Sequence, residues 1–231
     1  MTVEATDRLR PTFSVWGLFW RFVLAIVGNL LIIPAPWTQS AYWGYMCRQI
    51  ALPDGRQLTF GGRAGDIWYI FIAAAISGQA LRISNIVHVA LMYKYGIMVA
   101  QLIIGVILMI YIIRWLCASM GVRGGHLNIV FTGSIFGFVW RYALAIVSIL
   151  TIIGWAWAEA YFLRWVFKNI TGTHQFEFHG TGVNILWRTL VLFVLCILVI
   201  PAPWAMRWFM AWMVSQTGIT ASPQLQVQAV G

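Results

Sequence analysis

Residues Trp20–Trp37 read WRFVLAIVGNLLIIPAPW: a Trp-Arg pair, a charge-free apolar run, then a proline break closed by tryptophan. The pattern returns at Trp140-Arg141, where the break is Gly154-Trp155-Ala156-Trp157, and at Trp187-Arg188, where it is Pro201-Ala202-Pro203-Trp204. Shifting residues 20–50 by 120 onto 140–170 gives eleven identities in thirty-one positions, Trp20, Arg21, Leu30 and Trp37 among them. Apolar runs resemble one another through composition, but Trp, Arg and Pro at one offset do not coincide for that reason. Self-similarity at fixed offsets marks a duplicated structural unit.

The setting of that unit follows from composition. The chain has 231 residues, 61% hydrophobic and 9% charged, whereas soluble domains carry about 25% charged residues. So little polar surface cannot enclose so much apolar material, which makes lipid the expected solvent. Fourteen Trp and eight Tyr fit that setting, because amphipathic rings gather where headgroups meet hydrocarbon. The formal net charge is +9. Its cations flank apolar runs and no recognition motif accompanies them, so anionic lipid is the expected partner and nucleic acid is not.

Cys47, Cys117 and Cys196 form no C-x-x-C pair and read as apolar fillers. The N-terminal residues Glu4, Asp7, Arg8 and Arg10 do not resemble a secretory signal, so the first apolar run is expected to stay as an anchor.

Charge-free stretches divide the chain at 22–47, 67–81, 95–113, 142–158 and 189–206. Between them lie polar connectors with turn signals: Pro53-Asp54-Gly55, Gly124-Gly125 and Gly172-Thr173. Gln175-Phe176-Glu177-Phe178-His179 alternates with period two, as a half-buried strand does. The expected fold is an all-α integral membrane protein. Repeated helical hairpins or spans break at the Pro-Ala-Pro-Trp-type turns (Pro34, Pro36, Gly154, Pro201, Pro203), and short β-hairpin connectors lie at the membrane surface. The expected divisions are a polar tail at 1–12 and one membrane domain at 13–216. The latter holds repeat units of about 16–63, 134–182 and 184–216 around a central helical pair, 67–117. A disordered tail follows at 217–231.

The Pro-Trp helix end, the Lys168-Asn169 pair and Phe178-His179-Gly180-Thr181-Gly182 leading into an apolar run carry a resemblance. They are similar to the YjgN-like family of bacterial inner-membrane proteins, described by a domain of unknown function. The likeness is best over 140–216 and weaker over 20–63. It implies a multi-pass location in the bacterial inner (cytoplasmic) membrane and no activity.

Cation counting separates two threadings. Five single crossings leave eight cations on one face and seven on the other. If each repeat turns back at its break, Arg82 and Lys94 lie on the far side, and the other thirteen of fifteen lie on the near side. Residues 67–93 and 95–117 then supply the only full crossings. From Arg21, Arg141 or Arg188 to its break is thirteen residues, roughly 20 Å of helix against a hydrocarbon core about 30 Å thick. Each repeat is therefore expected to be a re-entrant hairpin. The competing reading is a proline-kinked single span with snorkelling arginines.

Arg21, Arg48, Arg141, Lys168 and Arg188 are the expected headgroup contacts. Ser77, Arg82, Asn85 and His88 form a candidate polar path, because an intramembrane ionisable group is a functional hypothesis by default. Trp155, Trp157, Trp165, Trp204, Trp208 and Trp212 crowd two helices and are candidates for facing a partner helix, from another subunit or a second copy, or a pigment-like or quinone-like ligand. His126, His174 and His179 lack metal-ligand spacing, so no metal or other cofactor is expected. The few carboxylates (Asp54, Asp66, Glu159 and Glu177 beyond the tail) form no catalytic constellation. The expected function is that of a non-enzymatic accessory, scaffolding or membrane-organising protein contacting anionic lipid. The alternative is a small-solute or lipid transporter using the polar face of the 67–93 helix.

Overall fold

The chain folds as four successive units, each a strand, two antiparallel helices and a second strand. The structure, a computed structural model, describes residues 8–86, 91–124, 127–151 and 153–221. The first unit comprises β1 (Arg10–Pro11), α1 (Val15–Leu31), α2 (Ala35–Arg48) and β2 (Ile50–Ala51). The second has β3 (Leu58–Phe60), α3 (Trp68–Ile86), α4 (Leu91–Ser119) and β4 (Met120–Val122). The third has β5 (Ile129–Phe131), α5 (Ile135–Ser148), α6 (Trp155–Lys168) and β6 (Ile170–Gly172). The fourth has β7 (His174–Phe178), α7 (Gly182–Ile197), α8 (Ala202–Ser215) and β8 (Thr217–Ala221).

In every unit the two strands pair with each other, antiparallel, and close the helical hairpin at its base. The same backbone bond seals each base. Thr12, Gly61, Thr132 and His179 donate N–H to the carbonyls of Gln49, Ser119, Asn169 and Gln216 at 2.8, 2.9, 2.9 and 2.9 Å. This corrects the expected β-hairpin connectors, because the strands pair across the helices and not within a connector. Hairpin closure brings four-residue orphan ends together, and their free N–H and C=O groups satisfy one another. Among the described residues, the first connector alone keeps a small turn of its own, with the Ala51–Gln57 bridge closed over Gly55 at φ +85.

Both expected tails are shortened by the same pairing. Arg10–Pro11 is a strand and Leu9 is buried, so the polar N-terminal segment is structured at least from Arg8, which bridges Gly218. Thr217–Ala221 is the last strand, with Ile219 5% exposed. Residues 222–231 lie outside the described residues. The repeat boundaries move accordingly, and the central pair 67–117 proves to be a fourth copy with its own ribbon.

Local sequence explains the shared geometry. Ser14, Ser134 and Thr181 cap α1, α5 and α7 by accepting from the N–H of Gly17, Gly137 and Asn184, worth about 1 kcal/mol each. Four residues on, Leu18, Phe138 and Ile185 are each 0% exposed and seat the helix. Before the cap, Phe131 and Phe178 fold over Gly133 and Gly180, where a Cβ would strike the ring. The first unit reverses this pair, with Pro11 in the phenylalanine position and Phe13, 3% exposed, in the glycine position. The ring volume is conserved from the other residue.

The prolines do not end the first helix of a hairpin. Reversal occurs two residues earlier, at Ile32 (φ 65, ψ −62) and Val199 (φ 61). Ile33, Ile153 and Ile200 then donate to the carbonyls of Leu31, Thr151 and Leu198 at 2.8, 2.7 and 2.6 Å, and around Ile32 and Val199 this makes a three-residue γ-turn. Positive φ at a β-branched residue costs about 1–3 kcal/mol. Pro34 and Pro201 are the N-caps of α2 and α8, with Pro36 and Pro203 buried in their first turns. There a missing N–H costs nothing.

The units follow one another head to tail. Each second helix packs on the first strand and first helix of the next unit, and α8 returns to β1 and α1. Leu9, Leu52, Leu58, Val122, Ile129, Phe131, Phe176 and Ile219, drawn from all four ribbons, share one core. The connectors also meet. Arg123 N–H donates to Gln57 O at 3.1 Å, Thr173 N–H donates to Asn128 O at 2.9 Å, and the charges of Asp54 and Arg56 reach His174.

Among the described residues, one helical stretch, Tyr95–Ser119, is long and apolar enough to cross a membrane. The apolar part of α3 stops at Gln79. The short hairpins have helices of 14–17 residues, about 21–26 Å, against 29 residues and about 43 Å for α4.

Candidate functional site

Arg21, Arg141 and Arg188 occupy equivalent places, seven residues after the cap. Each turns inward across its hairpin onto an aromatic ring three residues before the far helix ends. Arg21 lies 4.2 Å from the Tyr45 centroid, Arg141 4.6 Å from Trp165, and Arg188 4.3 Å from Trp212. A second ring completes two of the three, Tyr161 for Arg141 and Trp187 for Arg188. The guanidinium also donates one turn back, to Gly17 O, Gly137 O and Asn184 Oδ1 at 3.0, 3.0 and 3.3 Å. The Nε atoms of Arg141 and Arg188 are buried without a protein partner. A cation over a desolvated ring is worth up to about 2 kcal/mol, so these arginines hold the two limbs of a hairpin together.

The second unit builds the same cross-tie from other residues. Asp66 stands where the others have glycine or asparagine, accepts the Arg63 N–H at 2.7 Å and takes the Trp115 Nε1–H at 3.4 Å. Ile70 occupies the arginine position. Sequence comparison missed the tie because its donor and acceptor exchange character. The shift of 120 did pair Tyr45 with Trp165, which was the available signal.

Two further arginines tie units together. Arg164 Nη2 donates to Gly180 O at 2.9 Å, and Arg207 Nε donates to Phe13 O at 2.7 Å. Both carbonyls immediately precede an N-cap, so the second of these bonds closes the chain of units back on the first. Glu159, on the same helix as Arg164, pairs with neither arginine. The only ion pair among the described residues is Arg56–Asp54, 2.6 Å and exposed.

Arg48 and Lys168 remain exposed at the C-terminal turns of α2 and α6, where the helix dipole favours them. Each lines a cavity between neighbouring units. Arg48 shares one of about 550 Å³ with Arg21, Ser40, Gly44, Tyr45, Gln49 and Gly62. Lys168 shares one of about 410 Å³ with Arg164, Gln175, Glu177 and His179. Arg141 and Arg188 line neither cavity.

The proposed polar path is only partly assembled. Ser77 lines an apolar groove of about 470 Å³ with Gly78, Gln101, Gly105 and Tyr142, and Gln101 Oε1 is buried there without a protein partner. Arg82 is exposed. The side chain of Asn85, and His88 altogether, fall outside the described residues. The neighbouring Gln79 acts structurally, donating Nε2 to Leu30 O at 3.0 Å near the end of α1. Tyr142 and Ile146 also line a second apolar cavity of about 590 Å³, with Glu159, Trp155 and Phe162.

The aromatic candidates divide by position. Trp165 and Trp212 lie under arginines, as does Trp208 at 5.5 Å from Arg188. Trp157 packs against Gly182, and Trp204 meets Trp16 edge-on at 5.8 Å, so both face the next unit of the same chain. Trp155 faces the Glu159 cavity.

At the connectors, the Arg56 N–H and guanidinium hold the Asp54 carboxyl below its usual range. Burial, helped by the Arg56 charge, pulls His174 below the ordinary histidine value. Among the described residues no three His, Cys, Asp or Glu side chains gather as a metal site would require, and His126 lies outside them. No family model, no curated protein and no solved structure matches this chain.

Proposed function

We propose that this is a non-enzymatic integral membrane protein that organises its bilayer and holds anionic lipid, resident in a bacterial inner membrane as the resemblance to the YjgN-like family implies. The observation that carries the reading is the contrast between the two ends of each short hairpin. The apices present bare aliphatic side chains, Ile33, Leu150 and Ile200 being 74%, 83% and 82% exposed. Leaving each of these in water forfeits about 1.5–3 kcal/mol. The ribbon ends carry Arg8, Arg10, Arg48, Arg56, Arg123 and Lys168.

Apices in hydrocarbon and cations among headgroups satisfy both ends at once. The γ-turn suits that depth, because it pairs backbone groups within three residues where no water is present to do so. The long hairpin α3–α4 reaches further than the other three and serves as the spanning element. Three short wedges entering from one side expand one leaflet, which is the organising action. Partner subunits or a second copy would dock on the remaining exposed apolar helix faces.

The test is labelling of single cysteines in a chain lacking Cys47, Cys117 and Cys196. Cysteines at Gly55, Gly124 and Thr173 are expected to react with an impermeant reagent from one common side. Those replacing Leu150 and Ile200 are expected to react only with a lipid-phase reagent. Opposite sidedness for Gly55 and Thr173 would refute the reading.

A further inference from the structure

The joint between the first and second units and the joint between the third and fourth are built alike, but an arginine at the later one, Arg164, is a glycine, Gly44, at the earlier one. At the later joint, Arg164 reaches across and donates to Gly180 O at 2.9 Å. The residue equivalent to Arg164 at the earlier joint is Gly44, and the one equivalent to Gly180 is Gly62. Gly44 sends nothing across, and among the described residues no side chain donates to Gly62 O. Gly44 lies in the wall of the 550 Å³ cavity, and the later joint keeps a cavity of about 410 Å³ beside Arg164.

That cavity retains two guanidinium groups, Arg21 and Arg48, with the Ser40 hydroxyl and the Gln49 amide, and no carboxylate lines it. Its counterpart includes Glu177. Arg21 spends one nitrogen on Gly17 O and stacks on Tyr45, and among the described residues the Arg48 guanidinium makes no hydrogen bond. Two guanidinium forks lining one space without a carboxylate match the three oxygens and the double charge of a phosphate monoester. A phosphodiester offers one charge and leaves the second guanidinium unbalanced. The exposed Trp37 begins the same helix as Ser40 and Arg48, so apolar surface runs away from the cavity along α2.

We propose that the Arg21–Arg48 cavity between the first and second units binds the phosphomonoester headgroup of a membrane lipid of the phosphatidate type. The proposal rests on the membrane reading above and is tested apart from it. The full chain is reconstituted in nanodiscs of neutral phosphatidylcholine doped with either phosphatidate or phosphatidylglycerol, and bound lipid is counted by native mass spectrometry.

Phosphatidate is expected to be retained about tenfold more strongly than phosphatidylglycerol, the worth of one added charged hydrogen bond. Its retention should rise between pH 5.5 and 7.5, as the second phosphate proton leaves at about pH 6. Arg48→Gln should abolish the preference while leaving thermal stability unchanged. Gly44→Arg, which copies the later joint, should abolish it as well.

Equal retention of the two lipids, or an undiminished preference in Arg48→Gln, would overturn the site. Displacement of phosphatidate by millimolar inorganic phosphate would overturn its assignment to a lipid. A chain that stays monodisperse without detergent or lipid would sink the membrane reading itself, a separate outcome from loss of selectivity.

Discussion

Ile219→Ala separates the folded chain from its sequence most sharply. By composition the segment from Thr217 onward is a tail, and a substitution there would change stability by less than about 0.5 kcal/mol. In the structure Ile219 is 5% exposed, pairs with Phe176 across the last ribbon, and enters the core shared with Leu9 and Phe131. Truncating a buried isoleucine to alanine costs about 2–5 kcal/mol, and the spread depends on how far the site collapses. Ribbon side chains can shift toward the gap, so the lower half of that range, about 2–3 kcal/mol, is expected. At about 2–4 °C per kcal/mol for a chain of this size, the midpoint falls by roughly 4–12 °C. Thermal unfolding in mild detergent, followed by intrinsic tryptophan fluorescence, reads the shift. Val130→Ala on the exposed face of β5 is the control and should move it by less than 2 °C, about 0.5 kcal/mol. If Ile219→Ala behaves like Val130→Ala, the last strand is not part of the fold and the closure of the four units fails with it.

Other outcomes follow from the same contacts. Arg188→Ala removes the guanidinium from between Trp187 and Trp212 and is expected to lower stability by about 1–3 kcal/mol. Arg188→Lys should recover only part of this, because an ammonium lacks the flat face that stacks, and the same unfolding assay compares them. Gly180→Val drives a side chain into the Phe178 ring and should cost about 1–3 kcal/mol through overpacking, whereas Gly55→Ala, whose added methyl meets nothing, should cost only the strain of its positive φ. His174 has a folded pKa below its unfolded value, so its contribution is complete above the unfolded pKa, about 6.5, and is lost as pH falls through the folded value. Stability measured from pH 7.5 down to 5 should therefore decline, and His174→Gln should flatten that decline.

Much of the fold was legible because it is written twice or more. The Trp-Arg to Pro-Trp copies located three hairpins, and their length already argued against simple crossings. The strand at Gln175–His179 was visible from its alternation and is present one residue earlier, at His174–Phe178. The central pair escaped recognition as a copy because Asp66 and Ile70 replace the glycine or asparagine and the arginine, which leaves the cross-tie without its signature. Ribbon partners were equally hidden. A strand of two to five residues carries too little pattern to say whether it pairs within its connector or across thirty residues of helix.

The candidate site divides along similar lines. Arg21 and Arg48 were marked from sequence as facing headgroups, and they do share a cavity. Arg141 and Arg188 were marked by the same signal; like Arg21 they tie their own hairpins, but they line neither cavity. Identical Trp-Arg words have different consequences because the next unit supplies the remaining wall, and that neighbour differs at each joint. The gap at Gly44 means something only beside Arg164, its counterpart one half of the molecule away.

Composition and repetition alone determine that the chain is helical, apolar and built from copies, since burial periodicity and turn chemistry act over a few residues. Only the tertiary structure decides that the copies number four, that each is tied shut by its own ribbon, and that the last leans back on the first. Those features depend on groups far apart along the chain meeting at bonding distance, and no local pattern records that meeting.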